Sequence, residues 1–166
     1  MKIIKFAVNL VVCIALFAGC LFAVKKDKGS VQDFGLIQGK SWQLVKVNDS
    51  KGGNIFDRAK IDTEKFADIY TIQFDAERAF GKAAPNRYNA PYSANKNEIS
   101  FKPALSTKML GLFTPEGLSE DEFYKLLENA KNWNYSSSSF SIDSVTQTGT
   151  SVTLFFVEIS MKNENR

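Results

Sequence analysis

The sequence predicts an α+β domain, a curled antiparallel sheet or small open β-barrel with one main helix packed on it. Short apolar or alternating runs recur from Ser41 to Met161, separated by Asn, Asp, Gly and Ser turns. One segment, Ser119–Lys131, combines the capping signals and the apolar period of a helix. Many short strands with one clear helix read as a sheet that buries its apolar face by curling on itself and under that helix.

The chain opens on Met-Lys-Ile-Ile-Lys, then an apolar run from Phe6 to Val24, then Lys25-Lys26-Asp27-Lys28. A short basic start, an apolar stretch and a small-residue exit are the parts of a secretory signal. Within it, Leu16-Phe17-Ala18-Gly19-Cys20 looks like the lipobox at which bacterial lipoprotein precursors are cut and acylated. Phe17 stands where such motifs usually carry Leu, Val or Ile. Two other readings stay open: an uncleaved anchor, since a helix of about 20 apolar residues spans a bilayer, and an ordinary cleavage site.

The lipoprotein reading divides the chain into a signal peptide over residues 1–19, a tether over 20–38 and a domain over 39–162. It makes Cys20 the lipidation site and the membrane a partner through the lipid anchor. It places the protein at the bacterial cell envelope, facing the periplasm or the exterior. Cys13 and Cys20 are the only cysteines, so a chain cut before Cys20 keeps one and forms no internal disulfide. One acyl chain holds a protein only marginally, so the resemblance to bacterial lipoproteins implies more than one.

After the tether, Ser41–Val47 reads as a strand and Asn48–Asn54 as a polar, Gly-rich loop. Tyr70–Phe74 alternates, placing Tyr70, Ile72 and Phe74 on one face. Asp75–Arg78 turns into Ala79-Phe80-Gly81. Arg87–Ser93 and Glu98–Phe101 form the next pair, joined by Asn95-Lys96-Asn97, and Pro91 points to an edge or a bulge. A short helical turn is expected over Ala104–Leu112.

Ser119-Glu120-Asp121-Glu122 is a capping box, with Leu118 and Phe123 placed for a hydrophobic staple. Phe123, Leu126, Leu127 and Ala130 continue as the buried stripe. Ser136–Ser139 is a strand or loop between Trp133-Asn134-Tyr135 and Phe140-Ser141-Ile142. Ser151–Met161, with Leu154-Phe155-Phe156-Val157, reads as a central strand covered on both faces.

Composition narrows the function. The chain carries 21 Lys and Arg against 18 Asp and Glu. Losing Lys2 and Lys5 with the signal brings the two nearly level, so no basic patch argues for nucleic acid. With no histidine, Ser-His-Asp and Cys-His catalysis are excluded and the usual zinc sites are not expected. Gly52-Gly53 matches no nucleotide fingerprint. The expectation is a non-enzymatic protein with no catalytic residue, metal or cofactor.

Gly39-Lys40-Ser41-Trp42-Gln43-Leu44 resembles the opening Gly-x-x-Trp-x-Leu of META/HslJ domains. The Tyr70–Phe74 strand and Phe80-Gly81 correspond to that family's hairpin, and Ala84-Pro85-Asn86-Arg87-Tyr88 resembles its Gly/Ala-Cys-Asn-x-Tyr. Thr107-Lys108-Met109-Leu110-Gly111 resembles its Thr-x-Met-x-Cys. The likeness covers roughly residues 39–160. Both family cysteine positions are replaced, by Pro85 and Gly111, which reads as the joint loss of a structural pair; a disulfide there would stabilise by a few kcal/mol.

The residues of these motifs read as structural. Trp42 is a core anchor, Asn86 satisfies backbone groups in a turn, Tyr88 and Met109 fill the interior, and Thr107 caps the short helix. The resemblance implies a non-enzymatic, membrane-tethered envelope module acting in stress response or assembly through protein interaction. The alternative it implies is a binder of lipid or hydrophobic peptide, using a cleft in the curled sheet.

Overall fold

The computed structural model describes residues 32–109, 111 and 114–160. The expected signal segment and Cys20 lie outside the described residues, as does most of the expected tether.

Ten strands form: β1 Ser41–Asp49, β2 Asn54–Asp57, β3 Thr71–Phe74, β4 Arg78–Lys82, β5 Arg87–Asn95, β6 Glu98–Phe101, β7 Leu105–Ser106, β8 Asn132–Ser136, β9 Ser139–Val145 and β10 Ser151–Ile159. All pairings are antiparallel, and eight strands follow one another in the order β10-β9-β8-β6-β5-β4-β3-β1. The first and last then pair from Ser41↔Ile159 to Asp49↔Val152, with a bulge between Leu44 and Lys46. That pairing closes the ring, so the small barrel is closed rather than open and leaves β1 and β10 no free edge to each other. β2 pairs with β1 beyond the end of β3, and β7 pairs with β5.

Alternation of side chains sets the interior. In β10 Val152, Leu154 and Phe156 are buried while Phe155 and Val157 are half-buried. The expectation of two covered faces is corrected to one, because an outer wall of the barrel faces outward at every second residue. The interior is filled by rings: Phe140 stacks on Phe156 at 4.6 Å and meets Trp42 edge-on at 4.9 Å. Small eight-stranded barrels hold just enough space for such side chains. The buried apolar residues described run from Ile37 to Phe156.

The one α-helix among the described residues, α1, spans Glu120–Glu128. Its start is fixed by the predicted box, with Glu122 N–H donating to the Ser119 hydroxyl and the Ser119 N–H donating to the Glu122 carboxylate. Phe123, Leu126 and Leu127 are buried, as the apolar period requires. β6 and β8 share only the Glu98↔Asn132 pair, and the C-terminal part of α1 packs by this thin part of the wall. There the Ser144 hydroxyl donates to the Leu126 carbonyl at 2.6 Å.

Three further expectations change. The tether does not run to residue 38: Phe34 packs against Phe74, Tyr92 and Trp133 at 4.9–5.3 Å, and Ile37 is fully buried. Those two apolar residues have more to gain in the barrel than in water. The helical turn over Ala104–Leu112 is absent from the described part of that segment, where Leu105 and Ser106 pair with Asn89 and Tyr88 as β7. Ser136–Ser139 keeps the expected strand-or-loop reading, as a tight hairpin joining β8 and β9 with Ser137 at a φ of 58°. Pro91 lies inside the sheet, at the point where β5 changes neighbour from β7 to β6.

Candidate functional site

Asn86, Tyr88, Thr107 and the backbone of Met109 come together at the N-terminal end of α1, and Glu120 of that helix joins them. Asn86 follows a cis Ala84–Pro85 peptide at the start of β5 and is only 5% exposed. Its side-chain oxygen accepts from the Met109 N–H at 2.6 Å and from the Thr107 hydroxyl at 2.8 Å. Its side-chain nitrogen donates to Glu120 Oε2 at 2.7 Å, and its backbone N–H donates to Glu120 Oε1 at 3.0 Å. The Asn86 side chain therefore ties β5 to the chain after β7 and to the first turn of α1.

Thr107 does not cap a helix. Its hydroxyl accepts from the Arg87 N–H at 3.2 Å while donating to Asn86. Met109 does not fill the core: its side chain is 63% exposed, and only its backbone takes part. Fixing the main chain at 109 through Asn86 leaves the side chain directed outward. Tyr88 is buried as expected, with its ring 5.8 Å from Phe123 and 5.6 Å from Tyr124, and its hydroxyl donates to the Thr71 carbonyl. Trp42 is fully buried on the other side of the core, where its indole N–H donates to the Ile37 carbonyl at 2.9 Å.

The electrostatics of the cluster are those of a support. Burial holds the Tyr88 and Tyr70 hydroxyls well above the usual phenol range. Tyr124 is raised by burial and then by the Glu120 carboxylate, to which its hydroxyl donates at 3.0 Å. Glu120 thus accepts three hydrogen bonds from its own chain. A general base needs its lone pairs aimed at a substrate proton; these are aimed at Asn86 and Tyr124. Among the described residues no three His, Cys, Asp or Glu side chains gather as a metal site. No buried side-chain polar atom among them lacks a partner.

Sequence reasoning missed Arg58. Its guanidinium donates to the carbonyls of Leu44 at 2.7 Å, Phe66 at 3.2 Å and Ile69 at 2.6 Å, pinning the 61–70 loop to β1. Burial lowers its pKa to about 10, and it stays charged at neutral pH. Backbone carbonyls leave no side-chain signal, so no motif marks this position. The reach of Glu120 back to Asn86 was missed because the two side chains are 34 residues apart in the chain.

A family model described as META domain matches residues 35–157. A solved NMR structure of a protein from Burkholderia xenovorans has a TM-score of 0.55 at 19% identity, covering 81% of this chain and 97% of that one. A DUF4847 family protein from Bacteroides vulgatus has a TM-score of 0.49 at 16% identity, covering 74% of this chain and 94% of that one. At these identities the likeness in the first case is one of fold. No curated protein matches the chain in sequence.

Proposed function

We propose, from the premise that this chain belongs to the META domain family, that it is a non-enzymatic module of the bacterial envelope. It is tethered through acylated Cys20 and acts by protein interaction in stress response or assembly. The observation that carries this reading is the filled interior. Trp42, Phe74, Phe140 and Phe156 pack ring against ring inside the barrel, where a carrier of acyl chains would need an open apolar cavity. The family motif adds to it, since Asn86, Thr107 and Glu120 are engaged with one another rather than turned to a substrate. Among the described residues no helix is long and apolar enough to cross a membrane, which says nothing of lipid anchoring.

The test is intact-mass spectrometry of the protein from a bacterial membrane fraction. The expected mass is that of a chain beginning at Cys20 and carrying acyl groups. A chain that begins at Met1 or Lys2, or one cut elsewhere and unmodified, overturns the tether. Fatty acid that co-purifies with the domain and displaces core resonances in NMR would favour the lipid- or peptide-binding reading instead.

A further inference from the structure

The outer wall of β4, β5 and β7 carries apolar side chains between cations. Phe80 pairs with Asn89, and Asn89 with Leu105, so the three side chains stand in one row on the outside of the barrel. Leu105 is 70% exposed and Phe80 is partly exposed. The row on one side holds Arg78, paired with Pro91, and Lys102, whose N–H donates to the Pro91 carbonyl. The row on the other side holds Lys82 paired with Arg87. Of these four cations only Lys82 makes an ion pair among the described residues, with Asp68 at 2.6 Å; Arg78 lies on the Asn89 side chain at 2.7 Å and feels the Asp75 carboxylate.

We infer that this wall docks on an anionic phospholipid surface. The occupant follows from the pattern. A barrel wall is convex and offers no groove for a peptide, whereas protruding apolar side chains flanked by long cations suit an acyl–headgroup boundary. Apolar burial and attraction to anionic headgroups then act together, each basic residue near the surface strengthening binding about fivefold. The reading deepens the tethered one, because the twelve steps from Cys20 to Gln32 span at most about 40 Å. A domain on so short a leash meets the bilayer constantly, and this wall decides which side it presents.

The experiment uses the compact unit from Val31 to Arg166, its folded state checked first by circular dichroism. Sedimentation is measured with vesicles of phosphatidylglycerol and phosphatidylcholine, and with phosphatidylcholine alone. Binding is expected on the mixed vesicles and about tenfold or more weaker on the neutral ones, with the same loss in high salt. Leu105→Glu, and separately Arg87→Glu with Lys102→Glu, should each lower binding about tenfold or more with the circular dichroism spectrum kept. Lys51→Glu, in the exposed loop after β1, should leave it unchanged. The inference is overturned by no binding to the anionic vesicles, by equal loss from Lys51→Glu, or by full binding of Leu105→Glu. Binding of polyglutamate but not of vesicles would overturn it in favour of an acidic protein partner. The assay needs no Cys20, so a missing acyl group would sink the tether and leave this wall standing, and an inert wall on an acylated protein would do the reverse.

Discussion

Asn86→Ala separates a strut from a binding group. The side chain gives up one hydrogen bond to the Glu120 carboxylate at 2.7 Å and two neutral ones, from Met109 N–H and Thr107. The contact to the Met109 carbonyl at 3.4 Å is long and adds little. A bond to a charged group contributes about 1.5–3 kcal/mol and a neutral one about 1 kcal/mol. Thr107 and Met109 are exposed and recover water in the variant, so the expected loss is about 2–4 kcal/mol rather than the full sum. That is a large part of the roughly 5–15 kcal/mol that holds a domain folded.

Urea unfolding followed by tryptophan fluorescence measures it, since Trp42 and Trp133 are both buried. The midpoint should fall with the slope unchanged. Glu120→Ala should fall too, and the double variant should be less destabilised than the sum of the singles by about 1–2 kcal/mol. An Asn86→Ala protein within about 0.5 kcal/mol of the parent, a difference typical of neutral surface substitutions, refutes the strut. So does a coupling of zero.

Other perturbations probe the rest of the frame. Ser119→Ala should cost about 1 kcal/mol at neutral pH through the lost cap. The Ser119 hydroxyl and then its N–H hold Glu122 below the usual carboxylate range. That stabilisation is complete above the unfolded pKa and is lost as pH falls through the folded one. The gap between thermal melts of parent and variant should therefore narrow as pH falls below about 4 and keep the share of the untitrated cap bond from the Glu122 N–H. Arg58→Lys should cost about 2–3 kcal/mol in urea unfolding, because an ammonium cannot hold three carbonyls with one planar fork. Gly81→Ala should cost about 3 kcal/mol or more, or fail to give a folded NMR spectrum. A Cβ there would lie 2.0 Å from the Thr71 carbonyl oxygen, a backbone atom that cannot move aside.

Local signals were legible and distant ones were not. The Ser119 box and the Phe123 stripe need one turn of chain to be read, and the Tyr70–Phe74 and Glu98–Phe101 alternations need five residues or fewer. The pairing of Ser41 with Ile159, which turns a curled sheet into a closed barrel, leaves no mark on either strand. β2 and β7 are too short to show a period, and β7 replaced an expected helical turn because β5 offered Leu105 and Ser106 an edge to pair with. Phe34 and Ile37 looked like a weak patch in a polar tether. Phe34 packs on Phe74, Tyr92 and Trp133, which lie on three different strands and come together only in the folded sheet.

The same division explains why the motif residues led to the family but not to a reaction. Asn86, Thr107 and Glu120 are the positions where the chain must be joined across long separations, by short polar links that few residue types can make. A side chain whose donors and acceptors are taken up by its own fold has none to turn toward a ligand. The side chains that the fold leaves unengaged face outward on this barrel and carry no spacing rule. Leu105 and Met109 are of that kind, although Met109 sits within the motif. Its backbone belongs to the strut and its side chain is exposed, so Met109→Ala should leave the urea midpoint unmoved, whereas Asn86→Ala should lower it. A fall of more than about 1 kcal/mol on Met109→Ala would mean the side chain is packed after all.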